Sequence, residues 1–461
     1  MTDTASVHSN TTATQPPRER QITSPPHEHI TPFSASFTDK RLGLARSIYF
    51  KALIGGTFAL TIVMFAVFSI YWGALWKTPA HALQGWVVDF DQSNIGNAVS
   101  QALIASSATS KTVTWKTMSS SDFPGGNIDV ANKVVDEKVW VAVVINSGAT
   151  NALNSAVASA NSNYNGSSAV TVYGNEARSE NAFRSLVRPT VQGLLESTAE
   201  RFASQFAQQI AANSSSNSLQ NLLSNAPQVI TRPIGYTVDN LRPFDVPVAT
   251  AITFVGLIYL LILSFFIVMI GVSARDVSGL EKHLTTGSLI RLRMASVFTA
   301  YFFLSLFYSL LSKAFQVDFS RKFGTGGFVV FWMLNYIGML AVGLALEAMI
   351  TLLTVRFIPF FMIVWIITNV SVCFMPIEVL PRIYHYGYAT PFYNVSKAIR
   401  TILFSTKNHV GLNFGVLFAW VAISCITLPL FQWFMRRRKI DEVNHQFEPD
   451  EKLFYDLRHD L

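Results

Sequence analysis

Residues 248–274 read VATAITFVGLIYLLILSFFIVMIGVSA, a continuous apolar run without a charged residue. A helix of this length rises about 40 Å, which is more than the roughly 30 Å hydrocarbon core of a bilayer. The whole chain has the same character, because 50% of its 461 residues are hydrophobic and only 14% are charged. Soluble domains carry about a quarter charged residues. The sequence therefore predicts a membrane protein and disfavours a soluble enzyme or a disordered chain.

Five further segments meet the same test of length and polarity. We predict a polytopic α-helical membrane protein with six transmembrane helices, the last five of which form a membrane block over residues 247–435. The first segment is too long, and starts too far into the chain, for a cleaved signal peptide, so we interpret it as a signal anchor. The predicted spans are Ala52–Trp76, Val248–Ala274, Ala295–Ser312, Phe328–Val355, Phe357–Phe374 and Val410–Met435.

Basic residues flank both ends of this membrane region. Lys40, Arg41, Arg46 and Lys51 precede the first span, and the run Arg436–Lys439 follows the last. Flanks rich in Lys and Arg stay in the cytoplasm, and an even number of spans places both flanks on one side. We therefore expect both termini to be cytoplasmic. Residues 1–39 would be a disordered cytoplasmic tail, residues 40–76 the basic flank and first helix, and residues 436–461 a second cytoplasmic tail.

Residues 77–246 are long enough for one compact domain, which this topology makes extracytoplasmic. Its pattern predicts an α+β fold, with strands near residues 86–90, 112–117, 139–145 and 169–173 and helices near 95–106, 150–160 and 181–212. The two cysteines of the chain, Cys373 and Cys425, lie elsewhere, so this domain must fold without disulfides. Asn165 and Asn213 each begin an Asn-x-Ser sequon and are expected glycosylation sites.

Common catalytic and phosphate-binding motifs are absent from the sequence, including Gly-x4-Gly-Lys-Ser/Thr, His-Glu-x-x-His, Cys-x-x-Cys and Gly-x-Ser-x-Gly. Asp89 and Asp91 lie at the end of a predicted strand and could in principle bind a metal–nucleotide complex, but two acids where a strand enters a loop more often form a turn or helix cap. We therefore expect no catalytic residue, no metal site and no cofactor. The net charge of +7 collects beside apolar segments, which argues against a nucleic-acid partner.

Three polar residues lie inside predicted spans. Glu347 is the most notable, because a carboxylate within a spanning helix costs about 2.5–3.5 kcal/mol on insertion scales and marks a candidate functional site. The alternative is structural: Glu347 bonds a neighbouring helix or reaches toward Arg356. Asn335 and Asn369 are also candidates for transport, although we interpret them first as hydrogen-bond partners between helices.

The segment that follows the fifth predicted span is MPIEVLPRIYHYGYATPFYNVSKAIR, residues 375–400. Its prolines, Pro376, Pro381 and Pro391, prevent one continuous helix. Its aromatic residues, among them Tyr388 and Tyr393, favour the headgroup zone of a membrane. We predict short re-entrant or interfacial helices at the outer surface, against the alternative of an aromatic-anchored loop without a role in transport.

The same segment, read from NVSVCFMPIEVLPRIYHYGYATPFYNVSK, resembles the fungal nitrosoguanidine-resistance membrane proteins, and the similarity covers nearly the whole chain after residue 40. That resemblance implies a permease that exports toxic compounds from the plasma membrane. A more distant resemblance in architecture is to the membrane subunits of type-2 ABC exporters. In those proteins a Pro-Glu-x-x-Pro-like segment ends in Pro, Tyr and Arg, and here Pro376, Glu378, Pro381, Pro391, Tyr393 and Arg400 fit that pattern.

Two hypotheses for function follow. The first is a permease-like protein that lowers exposure to small hydrophobic or amphiphilic compounds, or that moves lipid. The second is a non-transporting membrane protein that binds lipid or a partner and influences membrane organisation. Expected partners are membrane lipids and such compounds, and the sequence leaves a homodimer and a separate ATPase subunit open. The plasma membrane is the expected location, with the endoplasmic reticulum as the alternative.

Overall fold

The structure is a computed structural model that describes residues 34–459, with side chains described up to residue 440. Most of the tail predicted over residues 1–39 lies outside the described residues. The chain divides after Ile62 into two units, and each is described by itself. The first contains the start of the first long helix, and everything discussed below about sites belongs to the second.

The described chain is mostly helical. A π-helical turn at Met64–Phe68 separates the first two helices, and the last helix continues past Met435, where the sixth predicted span ends. The α-helices are α1 (Gly43–Val63), α2 (Ser69–Leu75), α3 (Asn94–Ser106), α4 (Asn127–Val135), α5 (Ala149–Ser159), α6 (Glu180–Ala182), α7 (Arg188–Asn213), α8 (Ser216–Asn225), α9 (Gln228–Thr231), α10 (Gly256–Val277), α11 (Leu280–His283), α12 (Thr286–Ala314), α13 (Ser320–Phe323), α14 (Gly327–Val370), α15 (Pro391–Phe404) and α16 (Val410–His459).

Five helical stretches within the described residues are long and apolar enough to cross a membrane. The chain is therefore a polytopic helical membrane protein, as predicted. The fourth stretch is 51 residues long and takes in both the fourth and the fifth predicted spans. The stretches are Lys40–Leu75, Ala251–Val277, Thr286–Ala314, Ser320–Val370 and Val410–Ile440.

The fourth stretch reverses direction at Thr354, within α14. Thr354 has φ 65° and ψ 170°, values that a helix cannot contain and that a β-branched residue rarely adopts. Two contacts with α15 show the reversal: the Phe392 amide donates to Asn369 Oδ1 at 3.2 Å, and a Cβ on Gly338 would lie 3.1 Å from Val395 Cγ2. A straight helix would separate residues 338 and 369 by about 46 Å. Since both lie against one turn of α15, the chain folds back between them.

Residues 83–240 contain a five-stranded mixed sheet. Its strands are β1 (Leu83–Asp89), β2 (Val113–Met118), β3 (Val141–Ile145), β4 (Val170–Gly174) and β5 (Tyr236–Asn240), in the order β2-β1-β3-β4-β5. Only the β3–β4 pair is antiparallel in this sheet. The sequence pattern had indicated the first four strands, whereas β5, α4 and α8 were not predicted. The mostly exposed residues of β5 explain that omission, because the strand has no apolar alternation.

The central strand β3 explains why the sheet has a core on both faces. All five residues of β3 are buried, which matches its unbroken run of Val, Ala and Ile. Val141, Val143 and Ile145 belong to the larger core, which α3, α5 and α7 cover, whereas Ala142 and Val144 face a smaller core with α4. Successive side chains of a strand point to opposite faces, so one strand serves both cores.

The larger core extends beyond the predicted domain of residues 77–246. It includes buried apolar residues from the segment that follows the fifth predicted span, and the Ala80 amide donates to the carbonyl of Val379 at 2.8 Å. The sheet region and this distant segment therefore share one apolar core. The contributing residues of the segment are Val372, Ile377, Val379, Leu380 and Tyr384.

Candidate functional site

Each proline of the segment 375–400 stands at the start of a short helix. Pro376 and Pro381 are the N-cap residues of 3-10 helices at Ile377–Val379 and Arg382–Ala389. Pro391 is the first residue of α15. Proline suits such positions because its fixed φ fits a helix start and its missing N–H is not needed there. The structure thus has short helices in this segment, while their re-entry into a membrane stays a prediction.

A group of charged residues, which we call the seam, joins the sheet region to this segment and to α15. At its centre is Arg178, whose guanidinium lies 3.7 Å from the ring centroid of Trp140. Arg178 Nη2 donates to Glu378 Oε1 at 3.2 Å, and its Nε lies 3.6 Å from Glu137 Oε2. Its Nη1 donates to the carbonyls of Glu137 and Val139. The buried cation therefore has a carboxylate partner on either side and carbonyl acceptors between them.

Lys397 adds a second cation to this side of the seam. Its Nζ lies 3.7 Å from Glu137 Oε2, and Lys397 itself is half-buried. Burial acts to raise the pKa of Glu378, but the positive charges of Arg178 and Lys397 together outweigh it and hold that pKa below its usual range. Glu378 is therefore charged at neutral pH.

Arg400 forms the other half of the seam. Its Nη1 donates to Glu180 Oε2 and to the carbonyl of Ala177 at 3.1 Å. Both Arg400 and Glu180 are buried, so their charges depend on each other. A side-chain amide adds to the attachment, since Asn181 Nδ2 donates to the carbonyl of Phe374 at 2.9 Å.

A small cavity of about 20 Å³ lies within the seam, with room for about one water molecule. Ligand sites for small molecules are about 300–1,000 Å³, so the seam as it stands is closed to a substrate. Tyr393 forms part of the wall, and its ring meets that of the exposed Tyr388 edge-on at 5.5 Å. The charged residues that line the cavity are Arg178, Lys397 and Arg400.

A second charged group, which we call the Glu347 cluster, lies among the long helices. Glu347 on α14 has no solvent exposure. Its Oε1 is 3.1 Å from Arg275 Nη2 on α10 and 2.7 Å from Arg293 Nε on α12. Both arginines are also buried, with exposed fractions of 7% and 3%. One carboxylate oxygen is therefore shared by cations from two other helices.

The remaining N–H donors of Arg293 bond to three acceptors, whereas one oxygen of Glu347 is left without a donor among the described residues. Arg293 Nη2 donates to the Glu347 carbonyl at 2.8 Å and to Thr351 Oγ1 at 2.7 Å, and its Nη1 donates to Gln432 Oε1 on α16. Among the described residues, Glu347 Oε2 has no hydrogen-bond partner. The cluster has two positive charges and one negative charge, and it keeps one acceptor unused.

The contacts of Glu347 match the structural alternative, in which it bonds to neighbouring helices. Its partners are Arg275 and Arg293, whereas the sequence had suggested Arg356. Arg356 is not among those partners, since its guanidinium lies 5.8 Å from the Phe357 ring. Arg275 and Arg293 lie just outside the predicted spans Val248–Ala274 and Ala295–Ser312. The sequence signal that could have identified these two arginines is Glu347 itself, the lone acid of the predicted bundle, because a buried charged carboxylate is normally paired with a cation.

The two candidate asparagines both bond across elements. Asn335 Nδ2 donates to Ser309 Oγ on α12 at 2.9 Å. Asn369 accepts from the Phe392 amide in the first turn of α15 and donates to the carbonyl of Trp365. Asn369 therefore satisfies a free amide at the start of a buried helix.

The remaining candidate residues lie apart from both clusters. Asn165 and Asn213 are exposed, and their glycosylation stays a prediction. Asp89 accepts from the amides of Asp91 and Gln92, and Asp91 accepts from Thr150, so the two acids form a turn and a helix cap. Within the described residues, no group of three or more His, Cys, Asp or Glu side chains is placed to hold a metal ion.

Comparison with known proteins identifies a family and a relative. A family model described as a protein of unknown function (DUF3533) matches residues 57–426. An uncharacterized endoplasmic reticulum membrane protein of Saccharomyces cerevisiae is 27% identical over 434 residues, which cover 88% of this chain and 84% of the relative. No solved structure matches the chain significantly.

Proposed function

The chain belongs to this DUF3533 family of unknown function, and on that premise we propose that it is a permease-like multi-pass membrane protein. It would move small amphiphilic compounds or lipid and so lower exposure to toxic molecules such as nitrosoguanidine. The observation that supports the proposal is the Glu347 cluster. A buried carboxylate among spanning helices, shared by two arginines, is an arrangement expected where helices must change partners.

The geometry offers a specific exchange. Arg275 and Arg293 compete for Glu347 Oε1, while Oε2 stays unused. A small rotation of α10 or α12 could pair one arginine with both oxygens and release the other. Two discrete arrangements of one ion pair provide the two states that alternating access requires.

We propose six membrane crossings, with the fourth and fifth formed by the two arms of α14 on either side of Thr354. The second arm, 355–370, has 16 residues and spans about 24 Å, which is less than the hydrocarbon core. The short helices of residues 377–404 would occupy the remaining depth. The contact of Val395 with Gly338, in the middle of the first arm, supports this placement.

The second candidate function, a non-transporting protein that binds lipid or a partner, is favoured by the seam. Its ion pairs, its shared apolar core and a cavity for one water molecule hold the sheet region to the segment 372–400. A rigid unit of this kind is compatible with a non-transporting protein that has a structural role (a scaffold), and also with the closed state of a permease.

Efflux from reconstituted vesicles tests the two functions directly. The purified full chain would be placed in vesicles loaded with a fluorescent amphiphile, with and without a proton gradient and with an added ATPase fraction. Glu347→Asp keeps the charge but withdraws the carboxylate by about one C–C bond from both arginines, so we expect slower efflux when vesicles with equal amounts of folded protein are compared. Glu200→Asp, at an exposed carboxylate of α7, is the matched control. Absence of efflux in all conditions favours the scaffold.

Location and partners form part of the same proposal. The name of the yeast relative favours the endoplasmic reticulum over the plasma membrane. Co-localisation of the tagged full chain with markers of each membrane distinguishes the two. Cross-linking of the protein in its native membrane tests whether it forms a homodimer and whether it binds a separate ATPase subunit.

A further inference from the structure

The end of the membrane helices near Thr354 has an excess of positive charge. Residues 275–293 and 436–442 together contain eight Lys and Arg residues and four acids, Asp276, Glu281, Asp441 and Glu442. Arg275 ends α10, Arg293 lies in the first turns of α12, and Arg436 lies near the end of the apolar part of α16. Contacts through Glu347 and Gln432 bring these helix ends together.

The nearby acids do not neutralise this charge. Glu347 is shared by Arg275 and Arg293, and Glu281 lies 3.6 Å from Lys439. Among the described residues, Glu347 and Glu281 are thus already paired with other cations, and Arg436 takes part in no ion pair. Buried cations without a counter-charge are costly, so an anion bound there would be stabilised.

Donor groups are free in the same place. Among the described residues, Arg275 has one ion pair, through Nη2, although its guanidinium has five N–H donors. Arg436 lies one helical turn beyond Gln432 on the same face of α16, and within the part of the chain that the structure describes its buried Nη1 has no hydrogen-bond partner. Arginine forks match the oxygens of a phosphate in a bidentate way.

We propose that Arg275 and Arg436 form a binding site for a phosphate group at this end of the bundle, with Arg293 held in place by Glu347 behind them. With the six crossings proposed above, these helix ends would lie at the level of the lipid headgroups, so the phosphate would belong to an anionic phospholipid, and a soluble phosphate has the same chemistry. The site requires neither transport nor substrate, so it goes beyond the proposed function and can fail independently of it.

The test uses the full chain in nanodiscs of phosphatidylcholine with and without phosphatidic acid. Lipid mass spectrometry counts the phosphatidic acid that stays bound to the protein after exchange into detergent. We expect enrichment over phosphatidylcholine, and a loss of about tenfold in affinity for Arg275→Gln and for Arg436→Gln, the effect of one lost charge-assisted hydrogen bond. Lys282→Gln, at an exposed cation of the same loop, should bind like the wild type.

Added inorganic phosphate distinguishes a lipid headgroup from a soluble anion as the source of the bound phosphate. If phosphate at millimolar concentration displaces the lipid, a soluble anion also uses the site, and if it does not, the headgroup is the ligand. Arg436→Gln is the variant less prone to misfolding, because Nη1 of Arg436 has no hydrogen-bond partner among residues 34–440. No preference for phosphatidic acid, or equal binding by both arginine variants and the wild type, overturns the proposal.

Discussion

The seam and the Glu347 cluster are built from the same residue types but balance their charges differently. In the seam, Arg178 and Arg400 each have their own carboxylate together with backbone carbonyls, and Glu378 keeps 38% of its side chain exposed. In the Glu347 cluster, one fully buried carboxylate is shared by two arginines, and one of its oxygens has no hydrogen-bond partner in the described part of the chain.

The difference indicates what each group can do. A balanced and carbonyl-supported set of pairs has one good arrangement, so it fixes two parts of the chain together. An unbalanced set leaves donors unused, which is the basis of our proposals that the Glu347 cluster exchanges partners and that a neighbouring arginine pair binds an anion. Structure is thus the main role of the seam, whereas the Glu347 cluster is suited to change.

The largest effect should come from Glu347→Gln, which leaves two buried arginines without a counter-charge. We expect the free energy of unfolding to fall by about 3–5 kcal/mol, the cost of breaking a buried pair. Thermal unfolding of the purified chain in detergent measures it, with Glu200→Gln as the exposed control. Because apolar replacement of a whole buried group is often tolerated, Glu347→Leu with Arg275→Met and Arg293→Met should recover most of the loss. An unchanged midpoint for Glu347→Gln would remove the contrast between the two groups.

A somewhat smaller effect is expected for Arg400→Gln in the seam. Arg400 is the ion-pair partner of the buried Glu180 among the described residues, so its loss should cost about 3 kcal/mol. The sheet region should then loosen from α15, and hydrogen exchange should rise in residues 170–185 and 377–400. Arg382→Gln, at an exposed arginine of the same segment, should leave exchange as it is. A uniform rise over the whole chain would contradict a local fixing role.

The pair between Arg178 and the half-exposed Glu378 should contribute about 1 kcal/mol or less. Since the pKa of Glu378 is lowered in the folded chain, this stabilisation is present above its unfolded pKa of about 4.3 and is lost as the pH falls through the folded pKa. From pH 6 to pH 3 the unfolding midpoint of the wild type should therefore fall more than that of Glu378→Gln. Parallel pH curves would show that the pair adds nothing.

The smallest effect should belong to an uncharged contact between long helices. Asn335→Ala removes the hydrogen bond to Ser309, for which membrane proteins give an average of about 0.6 kcal/mol. A double-mutant cycle with Ser309→Ala isolates that value from the loss of side-chain volume. A coupling energy as large as that of the charged clusters would mean that hydrogen bonds between uncharged side chains stabilise this bundle as much as its ion pairs do.

The sequence alone indicated much of the fold but little of the site. Long apolar runs identified the spanning stretches, and the prolines at 376, 381 and 391 identified the starts of short helices. Strand β5 was missed because its residues are mostly exposed and show no alternation. The arginine partners of Glu347 were missed because a window of sequence assigns a charged residue beside an apolar run to a loop. The structure instead extends α10 and α12 to include them.

The sequence by itself determined the class of the protein, because hydrophobicity, length and proline content act on each segment independently of its neighbours. Tertiary structure alone decided that the chain reverses at Thr354, that residues 372–384 complete the core of the sheet region, and that Glu347 meets two arginines. Each of these depends on which faces of distant segments pack together. Such packing depends on shape and charge across the whole bundle, so no local sequence pattern predicts it.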